Sequence, residues 1–213
     1  MFNRLFGRKE PAQLGNALPV VRNVTLGRSL TVDPLAWRQY GAESKFPVDR
    51  DTLIITAQGL IKLDEGGFVH RFYTDDHLMF QAVSDDNAGE QVSDITLFAP
   101  WDSQYPGDRA DRELWRARIG ARTFKPDGLP EYRRFWFGEE AVAQAPVTFW
   151  EELHDDRDGV PDRRIFQSSM LFARDLAGGG RELLLAIEME PEGDAVSQEL
   201  MIGVPLEMGE FRA

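Results

Sequence analysis

The stretch "EELHDDRDGVPD", residues 151–162, gathers six carboxylates around one arginine, Arg157. Asp156, Asp158 and Asp162 about Gly159 spell D-x-D-G-x-x-D. An oxygen-rich loop with a turn glycine suits calcium, which takes roughly six to eight oxygen ligands. The EF-hand spacing fails, because with Gly159 at the loop's glycine position Ile165 stands where a bidentate glutamate belongs. Asp, Gly and Pro are also what turns are made of. Two readings follow, a cation-binding loop at Asp156, Asp158 and Asp162 or a charged hairpin turn, and the turn asks less of the sequence. The wider acidic set around 139–162, with the pairs Glu139/Glu140 and Glu151/Glu152, offers acid–base chemistry or a seat for a small cationic ligand. Adjacent acids more commonly mark a solvated face.

Other chemistries find less support. His70, His77 and His154 are the only histidines, and they lack the spacing of a zinc site. Ser168 and Ser169 fall inside an expected strand, not on a nucleophile elbow. The glycines 178–180 precede a strand and no Lys-Ser/Thr follows them, so they make no phosphate loop. No cofactor is expected. There are no cysteines, which removes disulfides and thiolate chemistry and makes the cytoplasm the default compartment. The aromatic runs "FWF" (135–137) and "FW" (149–150), with Trp101 and Trp115, suit either a binding groove or an inter-sheet core.

The elements that must position these residues are mostly extended. "TLIITAQGLIKL", "FVHRFY", "HLMFQAV" and "VSDITLFA" are four β-rich runs joined by short turns, an antiparallel meander with Gly59 read as a bulge. In "RELLLAIEME" Leu183, Leu185, Ile187 and Met189 share one face and Glu182, Glu188 and Glu190 the other, the pattern of a strand with one buried and one wet side. Residues 164–174 are expected to pair with 181–190 as a hairpin. "PVTFWEEL" and "VSQELMIGVPLE" supply further strands, and "EYRRFWF" reads as another. Short helices are expected after Asp33, after Asp108 and over "GEEAVAQA". The fold expected is therefore α+β and β-rich: mainly antiparallel sheet with two or three short helices, an arm over 1–20 and one domain over 21–213.

The net charge of -12 argues against nucleic acid as a partner, because phosphate would be repelled by most of the surface. The first nine residues run against that charge. Arg4, Arg8 and Lys9 alternate with Phe2, Leu5 and Phe6, which would share one side of two helical turns. A basic amphipathic tip of this kind seeks anionic lipid or a partner protein. The protein is accordingly expected to be cytoplasmic and able to sit at the inner face of a membrane.

"DPLAWR" early, "FWEEL" before the acidic turn, and "SSMLFARDL" and "RELLLAIEME" late resemble the YjfK-like bacterial proteins, a domain of unknown function, from about Val20 to the end. The resemblance brings no catalytic residues with it. It implies genomic company with phage-shock-type membrane-stress proteins, and so a non-enzymatic accessory or adaptor role.

Overall fold

The computed structural model describes residues 18–48, 50–64, 66–138 and 142–213. Two four-stranded meanders make the body. The first runs β2 (Thr52–Lys62), β3 (Phe68–Thr74), β4 (Met79–Ser84) and β5 (Val92–Gln104). The second runs β8 (Val147–His154), β9 (Arg163–Asp175), β10 (Arg181–Pro191) and β11 (Ser197–Pro205). Every pairing within and between them is antiparallel, as β-branched runs joined by short turns require. The meanders join at both edges, β5 to β11 and β2 to β8, so the eight strands close into a barrel.

Strand alternation sends one set of side chains inward and the other out. Tyr73, Met79, Phe98, Met201, Leu183, Leu185 and Leu171 pack together inside. Phe72, Phe80, Leu97, Ile202, Leu184 and Phe172 point outward and are nonetheless buried. They are covered by Val21, Leu30, Trp37, Trp115, Ile119 and Tyr132. These come from segments outside the ring: β1 (Ser29–Val32), which pairs β2 and β12 (Phe211–Arg212); α1 (Leu35–Arg38); α2 (Arg109–Ile119); and the hairpin of β6 (Thr123–Phe124) with β7 (Tyr132–Arg134). Much of the apolar core therefore lies against the outer wall.

Capping sets the helices where the sequence places them. The Asp108 side chain accepts from the Asp111 N–H at the start of α2, and Asp33 accepts from Leu35 N–H ahead of α1. No helix occurs at 142–145; the first part of the helix expected over "GEEAVAQA" falls at 139–141, outside the described residues. Only Tyr132–Arg134 of "EYRRFWF" is strand, and the aromatics after it leave the sheet as a turn.

The α+β expectation is overturned. The described residues form an all-β closed barrel, with α1, one 3-10 turn (Gly41–Glu43) and α2 as accessories on its outside. Helical patterns were legible locally, but the class is decided by ring closure, and closure joins Gln58–Ile61 to Glu151–His154 across some ninety residues. The late hairpin pairs as its alternation predicts, Leu185 opposite Leu171. Its second face is not wet. Glu182 and Glu188 have no accessible surface, because each is the hub of an ionic network on the outer wall.

Glu188 accepts from Arg112 and Arg116 of α2 and from Gln198, which ties the helix to β10. Burial works to raise its pKa. The bonds from Arg112 and Gln198 and the two arginine charges outweigh that and hold the carboxyl below its usual range. Glu182 accepts from the Tyr132 hydroxyl at 2.6 Å, Arg174 Nε at 2.8 Å and Ser44 Oγ at 2.9 Å. Burial and the Glu182 charge push the Tyr132 hydroxyl upward, so it stays a donor.

Candidate functional site

The barrel is not filled to its upper end. A cavity of about 570 Å³ opens between the ends of β3, β4, β5, β8, β9 and β10, within the range of roughly 300–1,000 Å³ typical of small-molecule sites. Its walls are mostly apolar: Val69, Val83, Phe98, Val147, Phe149, Leu171 and Leu183. Phe135, Trp136 and Phe137 line it from the turn after β7. Phe135 and Phe137 leave 43% and 50% of their surface accessible, while Trp136 packs against both the inner and the outer core. Phe137 has φ +65°, a conformation a bulky side chain rarely takes, and Gly138 follows at +64°. Backbone strain of this kind concentrates at ligand clamps and active sites.

Below the apolar walls lies a charged group with its partners. Arg71, on the inward side of β3, donates through Nη1 to Glu151 Oε2 at 3.2 Å and to Gln167 Oε1 at 2.8 Å. Its Nε donates to Gln81 Oε1 at 3.0 Å, and its guanidinium lies 5.5 Å from the centre of the Phe149 ring. The Tyr73 hydroxyl donates to Glu151 Oε1 at 2.8 Å. Arg71 and Glu151 side chains are 3% and 0% exposed, so this is a fully interior ion pair. Burial alone would lower the arginine's pKa; Glu151 and Tyr73 reverse that and leave it raised. Burial first, and then the Glu151 charge, drive the Tyr73 hydroxyl well above its ordinary value, which keeps it protonated and donating.

Two glycines make room for this interior. A Cβ at Gly59 would overlap the Glu151 carboxylate, and one at Gly203 would overlap the Phe98 ring. Gly59 is not the bulge its setting in the sequence suggests; the irregularity of β2 lies between Ile55 and Ala57. Its role is close approach. Ser169, on β9 two residues from Gln167, is fully buried, and its Oγ has no hydrogen-bond partner among the described residues.

A larger concavity of about 740 Å³ lies on the outer wall beside β2, β8 and β9. Trp150 is 41% exposed there beneath Arg164, and Glu152 lies 3.7 Å from Arg164 Nε. The inner cavity combines mostly apolar walls with the buried Arg71 and its polar partners, and for that reason it is the candidate site.

The residues singled out in sequence are scattered. Glu151 leaves the acidic turn altogether and enters the barrel. Asp156 accepts from Asp158 N–H, Asp158 from Val160 N–H and Asp162 from Asp155 N–H, all within the turn. Asp155 pairs with Arg163 at 2.8 Å, and Arg157 reaches away to the Leu26 carbonyl. Among the described residues no group of three His, Asp or Glu side chains is arranged to hold a metal ion. His70 is buried on the outer wall, where burial lowers its pKa, His77 sits in the turn after β3, and His154 Nδ1 meets the Val160 carbonyl. The arm candidates Phe2, Arg4, Leu5, Phe6, Arg8 and Lys9 lie outside the described residues, as do Glu139 and Glu140. Arg71, Gln81, Asp94 and Gln167 escaped notice in the sequence. Their one signal is a polar side chain on the inward phase of an otherwise apolar strand.

A closed eight-stranded antiparallel barrel with an apolar cavity above an internal ion pair defines a class of architecture whose interiors are either filled by side chains or large enough for one small ligand. The chain belongs to the family described as "Protein of unknown function (DUF2491)", which matches residues 1–212. No curated protein and no solved structure matches the chain. Among the described residues no helix is long and apolar enough to cross a membrane.

Proposed function

We propose that this protein is a small-molecule-binding barrel that takes a compact, largely apolar ligand into its upper cavity. The observation that carries the reading is the cavity itself: apolar walls, three aromatic side chains at its mouth and a polar group below. The proposed role is carriage or sensing, supported by the mostly apolar lining. The test uses the neutral fluorescent probe N-phenylnaphthylamine. The protein should bind it with enhanced emission, and Val83→Phe and Val147→Phe, which add volume to the wall, should each weaken binding about fivefold or more, near 1 kcal/mol. Absence of probe binding, or binding indifferent to both substitutions, overturns the reading.

The accessory role, cytoplasmic setting and membrane-stress link expected from the sequence and its YjfK-like resemblance attach, in this proposal, to the arm. Three basic and three apolar residues support weak, salt-sensitive attachment to anionic vesicles. Co-sedimentation of full-length protein should exceed that of a chain lacking residues 2–9 at low salt and match it at high salt. Equal pelleting of the two forms at low salt removes the arm from the proposal.

A further inference from the structure

Three charged residues line the cavity, Arg71, Arg181 and Asp94, and each arginine has a carboxylate partner outside the lining. Arg71 is neutralised by Glu151 and bonded to Gln81 and Gln167. Arg181, at the mouth, lies 3.5 Å from Asp175 and 5.3 Å from the centre of the Phe135 ring. Asp94 is different. It lines the same cavity from β5, opposite Val83 of β4, and makes no ion pair among the described residues. Its side chain is accessible, yet the surrounding walls withdraw enough water to push its carboxyl above the usual range.

The groups beside Asp94 are also unspent. Thr96 follows it on the inward face, opposite Gln81. The Thr96 hydroxyl makes no hydrogen bond among the described residues, and Gln81 uses its carbonyl oxygen on Arg71 while its amide nitrogen stays without a partner. The β4–β5 wall thus carries a polar strip, and Val147, Phe149, Leu171, Leu183 and Trp136 supply apolar lining elsewhere in the cavity. A ligand suited to it has a compact apolar body and, at one end, a positively charged head that also exchanges hydrogen bonds.

Resting on the barrel-binding reading, we infer that the cavity selects cationic amphiphiles, a protonated amine held by Asp94 with its hydrocarbon body against the apolar lining. An ammonium has three donors, which suit the carboxylate and the Thr96 hydroxyl together. The indole of Trp136, also in the lining, adds a face attractive to cations. An anionic head would meet the Asp94 charge, and the two cations of the lining, Arg71 and Arg181, already face Glu151 and Asp175.

The experiment competes aminoadamantane, adamantanol and adamantane carboxylate against N-phenylnaphthylamine at neutral pH. These share one body, differ in the head and do not act as detergents at the concentrations used. The amine should displace the probe at a concentration about tenfold below the alcohol, and the carboxylate should be weakest. Asp94→Asn and Asp94→Ser should each bring the amine and the alcohol to within about twofold of one another, once each competition is corrected for that variant's own probe affinity. If the probe binds and the alcohol or carboxylate competes as well as the amine, the cationic selectivity is wrong and the barrel reading survives. Amine preference that persists in both Asp94 variants also overturns the assignment. Failure of the probe to bind at all is a failure of the underlying reading and takes this inference with it.

Discussion

Arg71→Met should destabilise the protein by about 3–5 kcal/mol, the cost of leaving a buried charge without its partner. The methionine fills much of the arginine's volume, so the loss is electrostatic rather than a cavity effect. Glu151 would remain inside the barrel with bonds from Tyr73 and Gln167 only. A second change decides the cause. Glu151→Leu in the Arg71→Met background should recover most of the loss, because replacing an entire buried pair with apolar side chains is often neutral or stabilising. Chemical denaturation of the three proteins checks it. A single variant that costs under about 1 kcal/mol, or a double variant no better than the single, would show that the pair is not the interior hub described.

Gly59→Ala is the second large effect, and an unusual one for the smallest of substitutions. The glycine's φ is outside the left-handed region, so the backbone accepts alanine. The conflict is with Glu151, whose carboxylate occupies the space a Cβ would take. Either the barrel wall shifts or the carboxylate is pushed off Arg71, and we expect a loss of about 4 kcal/mol from overpacking and a broken pair together. In a Glu151→Ala background the same Gly59→Ala change should cost less than about 1 kcal/mol, since nothing is left to collide with. Additive behaviour in this double-mutant cycle would place the role of Gly59 elsewhere.

The first meander and the late hairpin were legible in the sequence because their strands are β-rich or alternating runs and their turns carry glycines or aspartates. Asp108 announced α2 for the same local reason. The site was not legible, since it exists only once β2 meets β8, and neither strand contains a signal for the other. Glu151 shows the difficulty well. In sequence it belongs to an acidic run beside Glu152 and Asp155, and nothing local says that it alone turns inward. Glu182 and Glu188 misled in the same way, as alternating glutamates look solvated when the helix and loops that cover them come from distant parts of the chain. The aromatic run 135–137 left two readings open, groove or core, and Trp136 serves both.

The order in which the chain leaves the ribosome gives the two-meander layout a consequence of its own. When β2 to β5 have emerged, β1 already covers one end of β2, but the Gln58–Ile61 stretch of β2 waits about forty further residues for β8 and β5 waits about ninety for β11. Bare edges of this length are templates for pairing with the wrong chain. During that interval Arg71 faces water on a concave sheet, with its counter-ion not yet made. Desolvating it early would be costly, so the charge opposes premature collapse of the half-barrel onto itself or onto a neighbour. Once Glu151 arrives the penalty is cancelled, and the same arginine becomes a reason for the ring to close in register.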